Sequence, residues 1–276
     1  MKQLIFTSFI LEEWKETRDT LQKYCRLVGA IRETLSKPLP RSLHTNLLIS
    51  RNGFTTSLIP KNEQSPDQLF EVIIDLVYKK LRIESNYREP LYIALTGQSL
   101  NALCDETCSL LTDIGIKPPL ERPSFLEGHR GMFDTKQVKH YWYTASRINR
   151  IMKKIRSELK GETTPVQLRP DDLNIFFARF YTKAENDVYP EEQIEFGFST
   201  GDELLREAYF YIATFPDTGR VEMFFKKENW IEIAGMPQRA VLPYSNLLKN
   251  NDPEDVVRGF FNCVKNYFVD IKSAKV

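Results

Sequence analysis

The chain has 276 residues, enough for one large domain or two small ones, and it can bury a substantial core. Charged residues make up 27% of it and hydrophobic residues 42%, close to the globular average, which excludes an intrinsically disordered chain. Its 38 Lys and Arg residues and 37 Asp and Glu residues leave a net charge near +1, so the basic excess typical of nucleic-acid and anionic-membrane binders is missing. We therefore expect neither nucleic acid nor a membrane among its partners.

The start of the chain and the cysteines indicate a soluble, cytoplasmic protein. A short apolar stretch runs into Glu12-Glu13-Trp14 without a cleavage site of small residues, unlike a signal peptide. No apolar run reaches the roughly 18 residues that a membrane-spanning helix needs. The cysteines lie apart on apolar faces of predicted helices, a pattern of reduced thiols and not of a disulfide framework: Cys25, Cys104, Cys108 and Cys263.

The first half of the chain predicts a long helix, a run of strands and a closing helix. Apolar residues recur with the helical period from Glu12 to Leu35, and Pro38 ends this helix. Asn52-Gly53 lies between two β-prone runs and predicts a hairpin, since both residues tolerate positive φ. Ser99 caps a further helix that Gly115 closes. The predicted strands are 45–50, 54–59, 70–77, 81–84 and 91–95.

A connector rich in proline and glycine, 116–133, leads to a second half with the same order of elements. A helix is predicted from Thr135 to Lys160, and a last helix begins at Asp252-Pro253. The strands predicted between them are 165–168, 173–181, 193–199, 208–215, 221–225, 230–234 and 240–242.

These elements predict an α+β fold of antiparallel sheets with long flanking helices. We expect one compact unit over residues 1–276, built from two successive helix-then-sheet halves, 1–115 and 134–276. The repeated order favours an internal duplication, although chance would also produce it from amphipathic helices.

The sequence lacks the standard motifs of nucleotide-binding proteins, metalloproteases, serine hydrolases and dithiol enzymes. Cys104 and Cys108 share one face of a predicted helix, but no histidine lies near them in sequence. We therefore expect them to pack in the core, with no metal site and no cofactor.

Six polar residues are candidates for a binding or active site: His44, Arg169, Asp171, Asp172, Arg179 and Glu195. His44 opens the first predicted strand, and a histidine there suits a general base or ligand; without an identifiable partner, an ordinary half-buried strand residue is the favoured interpretation. Arginines and carboxylates at strand ends suit a polar ligand or acid–base chemistry. Solvated charges in a turn explain the candidates of the 169–172 segment equally well.

The predicted strands of the second half carry aromatic residues on both faces, among them Phe176, Phe177, Tyr209 and Phe210. A sheet that is apolar on both sides is either covered on both sides or lines a cavity.

Motifs spread in order over nearly the whole chain are similar to those of a known family. They are Trp14 with 28–32, Gly53-Phe54-Thr55-Thr56 with Ile59-Pro60, 70–83, Phe133-Asp134, Tyr141-Trp142, Thr164-Pro165-Val166, Arg179-Phe180, Gly197-Phe198 with Gly201, and Leu242-Pro243-Tyr244 with Asp252-Pro253. The chain thereby resembles a widespread, mostly bacterial family of uncharacterised proteins of about 300 residues, catalogued only as a domain of unknown function. The resemblance implies no established activity.

The chain departs from that family's pattern at several polar positions. The resemblance implies a histidine where this chain has Gln167 and a second histidine near Glu191. It also implies Trp-Gly-Ser at 170–172, an aspartate at Asn174 and a tryptophan at Ser199. If the family is catalytic through those histidines, this protein has lost or altered the reaction.

Three hypotheses of function follow. The missing catalytic motifs, the balanced charge and the two-sided aromatic strands favour a ligand-binding or interaction protein, with a small polar molecule or a protein as partner. The alternative is a metal-independent enzyme that acts on a small polar molecule through the six candidates at a site between the halves. A third hypothesis, a subunit that buries an apolar surface in a partner, predicts a large exposed hydrophobic patch.

Overall fold

The computed structural model describes residues 11–117, 120, 122–180, 193–203, 205–215, 230–231, 239–250 and 252–263. The helices are α1 (Leu11–Leu35), α2 (Leu100–Asp113), α3 (Thr135–Glu158), α4 (Tyr244–Leu248) and α5 (Pro253–Asn262), with short 3-10 helices at Pro40–Thr45 and Arg122–Phe125. The strands are β1 (Leu47–Ile49), β2 (Gly53–Thr55), β3 (Ile59–Pro60), β4 (Leu69–Asp75), β5 (Lys80–Ser85), β6 (Leu91–Ala94), β7 (Gln167–Leu168), β8 (Ile175–Phe180), β9 (Gln193–Ser199), β10 (Tyr209–Phe215), β11 (Trp230–Ile231) and β12 (Arg239–Pro243). Helices beside antiparallel strands confirm the α+β class.

Some predictions fall outside the described residues. They are the segment before residue 11, the strand at 221–225, the part of the 230–234 strand after 231, the last helix beyond 263, and Glu191. In the described part of the chain, no helix is both long and apolar enough to cross a bilayer. The internal duplication stays a prediction.

The chain divides into two compact units. The N-terminal unit contains residues 14–146 and 167–173, and the C-terminal unit contains residues 1–13, 147–166 and 174–276.

In the N-terminal unit, antiparallel strands run in the order β7-β1-β2-β4-β5-β6, and β3 pairs with β4. The apolar stripe of α1 is fully buried at Leu21, Tyr24 and Val28, as its helical period predicts. Trp14 stacks on Tyr141 with ring centroids 5.1 Å apart, and Trp142 meets Phe54 edge-on at 5.9 Å. The core of this unit therefore lies between one sheet face and its helices.

The hairpin at Asn52-Gly53 is present, but its turn is not the predicted one. The Ser50 N–H donates to the Gly53 carbonyl at 2.8 Å, which leaves Arg51 and Asn52 at the tip. Neither Asn52 nor Gly53 has positive φ. Glycine is needed for a different reason: a Cβ at position 53 would lie 1.9 Å from the Ile74 carbonyl oxygen.

Strand β4 ends at Asp75, two residues before the predicted end, because the Asp75 carboxylate closes the turn to β5. Its Oδ1 accepts from the N–H groups of Val77 and Tyr78 at 3.0 and 2.8 Å, and its Oδ2 accepts from Arg82 at 2.9 Å. The side chain is fully buried. This turn fixes β5, and with it the next strand, β6.

In the C-terminal unit, antiparallel strands run in the order β11-β12-β10-β9-β8. One face carries a phenylalanine cluster in which Phe177 stacks on Phe196 at 4.9 Å, and Phe261 of α5 meets Phe196 edge-on at 5.4 Å. The other face carries Tyr209 and Tyr211, each at most 2% exposed. At these described positions both faces of the sheet are covered, the first of the two outcomes that the aromatic strands predict.

Candidate functional site

His44 lies in the N-terminal unit, in the 3-10 helix Pro40–Thr45 and not at the start of a strand as the sequence indicates. Its Nδ1 accepts a hydrogen bond from the Leu39 N–H at 3.1 Å, which closes this turn, and β1 begins only at Leu47. The ring is thus engaged in local backbone structure.

The Arg169–Asp172 segment of the same unit forms a turn in which Asp171 is exposed and Pro170 is buried. Arg169 pairs with Asp172 at 3.4 Å, and Arg26 of α1 pairs with Asp171 at 3.5 Å. The Asp171 side chain is 80% exposed. The structure brings these three candidates together, in ion pairs of the kind that contribute little to stability in water.

Arg179 and Glu195 lie on neighbouring strands of the C-terminal unit. Arg179 is opposite Ile194, and Glu195 is opposite Ala178. Because successive side chains alternate between the two faces of a sheet, Arg179 and Glu195 project to opposite faces.

Glu195 belongs to a buried polar network on the tyrosine face of this sheet. It is 5% exposed, and its Oε1 accepts from the Tyr211 hydroxyl at 2.6 Å. The Arg239 guanidinium lies over the Tyr211 ring at 5.3 Å and donates to the Tyr209 hydroxyl at 3.3 Å. The Tyr209 hydroxyl in turn donates to Asp202 at 3.0 Å. Burial raises the pKa of Tyr209, with the Arg239 charge acting in the opposite direction.

Gly197 makes this network geometrically feasible. A Cβ there would lie 2.0 Å from Cζ of the Tyr211 ring, so only glycine lets the ring cross β9 and reach Glu195. Glu195, Tyr209 and Tyr211 are each at most 5% exposed, so their side chains offer little surface to a ligand. This chemistry suits a satisfied structural network more than a binding site.

An open cleft lies instead in the N-terminal unit, beside β6. Its volume is about 510 Å³. Residues of β6, of the turn after it, of α2 and of the segment before α3 line it: Tyr92, Ile93, Ala94, Thr96, Gln98, Glu106, Ser109, Leu110 and Arg130.

Strand β6 presents hydrogen-bonding groups along this cleft. It is the last strand of the sheet in the described part of the chain, paired on one side with β5. The Leu95 N–H donates to the Lys79 carbonyl at 2.9 Å, which sets the alternation of the ladder. In an antiparallel ladder every second residue turns its N–H and C=O away from the partner strand. Tyr92, Ala94 and Thr96 are therefore the residues whose backbone groups face away from β5.

Helix α2 forms the other wall of the cleft and runs back along β6. It begins at Ser99, just after the strand, and the Tyr87 hydroxyl before the strand donates to the Ile114 carbonyl at its far end, at 3.3 Å. Leu110 and Glu106 stand one helical turn apart on this wall, an axial rise of about 6 Å. Two residues of a strand span about the same distance.

The cleft carries one cation and one anion that do not pair with each other. Arg130 and Glu106 are both exposed, and among the described residues neither forms an ion pair. Arg130 donates from Nη2 to the Thr96 carbonyl at 3.3 Å. Burial raises the pKa of the Tyr24 hydroxyl well above its ordinary range despite the opposing Arg130 charge, so this hydroxyl stays protonated and donates to the Gln98 carbonyl at 2.8 Å. The hydrogen bond from Tyr24 therefore holds the backbone at Gln98 in place, and the charged groups of Arg130 and Glu106 are exposed to a ligand.

A family model described as a family of unknown function, DUF5996, matches residues 6–270. The chain belongs to this family. The predicted resemblance to a family of unknown function is confirmed. No curated protein and no solved structure matches the chain.

Membership of the DUF5996 family assigns no activity, so the function must be inferred from the side chains and the backbone of this member. None of the six candidates lines the cleft. Sequence reasoning missed it because the cleft depends on β6 standing at the end of the sheet, which is a long-range property. The alternation of exposed Tyr92 and Ala94 with buried Ile93 and Leu95 marks a strand but does not say which strand is at the edge.

Proposed function

We propose that this protein is an interaction protein that binds an extended segment of a partner protein along β6. The segment would add to the sheet as a further strand between β6 and α2. The observation that carries the proposal is the row of backbone groups at Tyr92 and Ala94 that face away from β5 into a cleft of about 510 Å³. Strand addition uses such main-chain groups for affinity and the neighbouring side chains for specificity.

The walls of the cleft fit the repeat of a strand. Every second side chain of an added strand would face α2, and Leu110 and Glu106 are spaced to meet two of them. An apolar side chain suits Leu110, and a cationic side chain two residues away suits Glu106.

The acid–base hypothesis has weaker support. Arg179 and Glu195 project to opposite faces of one sheet, Asp171 is exposed in a turn, and His44 holds a backbone N–H. It stays a prediction, as does binding of a small polar molecule.

The proposal places this interaction in the cytoplasm. No disulfide joins the four cysteines, all of which lie in the described part of the chain, and Cys25 and Cys104 are buried. Buried thiols of this kind suit a reducing compartment.

A selection with random peptides that carry free carboxyl termini, followed by fluorescence polarisation of the selected peptides, tests the proposal. Replacing Ala94 by proline removes one N–H at the open edge and leaves the β5–β6 hydrogen bonds in place, which edge strands tolerate. We expect Ala94→Pro to weaken binding at least about tenfold, since one hydrogen bond and its geometry are lost. The matched control, Ala94→Val, keeps the N–H and should bind more tightly than Ala94→Pro.

A second measurement guards against misfolding of the proline variant. Methylating the backbone nitrogens of a selected peptide one at a time should abolish binding at every second position, because only alternate N–H groups face β6. Binding that survives methylation at all positions would contradict strand addition. So would a selection that yields no peptide while a polar metabolite raises the melting temperature in an Arg130-dependent way.

A further inference from the structure

The side chain of Gln98 closes one end of the open edge of β6. Its Oε1 accepts from the Thr96 N–H at 2.8 Å, and its Nε2 donates to the Ala94 carbonyl at 2.8 Å. In a parallel sheet, a single residue of the neighbouring strand binds the same two groups. Its N–H donates to the carbonyl of one residue, and its carbonyl accepts from the N–H two residues later. Gln98 is only 8% exposed, and the Tyr24 hydroxyl lies 3.2 Å from its Oε1. It therefore ends the row of edge groups in a fixed position.

The adjacent pair of edge groups is the one that a ligand can use. It consists of the Tyr92 carbonyl and the Ala94 N–H, one step before the pair that Gln98 binds. One residue of a strand that runs parallel to β6 would hydrogen-bond to the Tyr92 carbonyl and the Ala94 N–H, as the Gln98 side chain does to the Ala94 carbonyl and the Thr96 N–H. An antiparallel strand could bind both groups of Tyr92, but its next pair would need both groups of Ala94, and the Ala94 carbonyl already accepts from Gln98. The geometry thus favours the parallel direction.

A parallel strand would approach Gln98 with its carboxyl end and could not continue along the edge beyond it. Arg130 stands at that end, held to the Thr96 carbonyl by one of its N–H groups. Its guanidinium is exposed, and among the described residues it forms no ion pair. A guanidinium recognises a carboxylate through paired, charge-assisted hydrogen bonds.

We infer that the segment bound along β6 is the C-terminus of the partner chain. It runs parallel to β6, stops at Gln98 and places its terminal carboxylate on Arg130. This inference rests on the proposed strand addition and specifies its direction and its end.

The test compares three forms of one selected peptide: the free acid, the C-terminal amide, and a form extended by further residues after its natural end. We expect amidation or extension to weaken binding about tenfold or more, the size of one lost charge-assisted contact. Arg130→Ala should remove most of the preference for the free acid over the amide. Arg88→Ala, which removes an exposed arginine that does not line the cleft, should keep that preference.

The outcomes separate this inference from the proposed function. If the amide and the extended peptide bind as well as the free acid while alternate N-methylation still abolishes binding, the terminal inference is wrong and strand addition stands. If the free acid is preferred equally by Arg130→Ala, the role of Arg130 is wrong. If no peptide binds at all, both the proposed strand addition and the inference about the C-terminus are wrong.

Discussion

Gly53 shows how one residue fulfils a sequence signal for a different physical reason. The Asn-Gly pair marks the hairpin, yet the turn lies one residue earlier and the glycine is required by contact with the neighbouring strand β4. The position of the hairpin could be predicted from sequence because turn residues act locally. The contact with Ile74 could not, because it depends on how β2 and β4 pair across the sheet.

Gly53→Ala should therefore destabilise the protein although alanine is a conservative replacement. A Cβ 1.9 Å from the Ile74 carbonyl oxygen forces the backbone apart, and overpacking of this kind costs about 1–3 kcal/mol. Urea denaturation measures the change in the free energy of unfolding. Gly128→Ala is the matched control, since nothing lies within 4 Å of its Cβ position, and it should change stability by less than about 0.5 kcal/mol. Equal stability of both variants would contradict this account.

At the scale of elements, the helices with local capping signals were predicted best. Ser99 and Asp252 cap α2 and α5 as the sequence indicates, with side-chain oxygens that accept from Ala102 N–H and Asp255 N–H. The 3-10 helix around His44 was missed, because it contains positive φ at Arg41 and Ser42, which residues of these types do not signal in a sequence. The cleft was missed because its wall and its edge strand come together only in the folded sheet.

Ser99→Ala tests the cap that fixes the start of α2 beside the cleft. Losing the hydrogen bond from the Ala102 N–H, 3.2 Å long, should cost about 0.5–2 kcal/mol. Ser109→Ala makes the same replacement in the interior of the same helix, at an exposed position, and should leave stability unchanged or slightly higher. Thermal unfolding of the two variants side by side measures the difference. A loss in Ser109→Ala as large as in Ser99→Ala would show that the cap is not the cause.

At the scale of the whole molecule, each compact unit consists of segments that are not consecutive in sequence. Residues 167–173 belong with 14–146, and 147–166 belong with the C-terminal strands. Strand β7 pairs with β1 through Leu47–Leu168 and Leu48–Gln167, on the side of β1 away from β2. Such pairing leaves no local trace in sequence, because the hydrophobic pattern of a strand is the same whichever strand lies beside it.

A buried thiol and two buried tyrosine hydroxyls of the N-terminal unit predict how the free energy of unfolding depends on pH. Burial raises the pKa of the Cys25 thiol far above its ordinary range, whereas in the unfolded chain a thiol loses its proton near about pH 8.5. Above that pH the unfolded state binds fewer protons than the folded state, so the free energy of unfolding falls with rising pH, by at most about 1.4 kcal/mol per unit for one group. Burial also raises the pKa of Tyr24 and Tyr141, and these add to the fall above about pH 10, where unfolded tyrosine ionises.

Cys25→Ala should therefore flatten the pH dependence between about pH 8.5 and 10, even though the cavity it leaves lowers stability at every pH. Urea denaturation under reducing conditions at several pH values gives the slope, which the cavity does not change. Cys263→Ala removes an exposed thiol and should keep the native slope. A slope that is the same in Cys25→Ala and in the native chain would mean that the buried thiol does not control alkaline stability. The decline above about pH 10 should persist in Cys25→Ala and become shallower when Tyr24→Phe is added, because that decline comes from the buried hydroxyls.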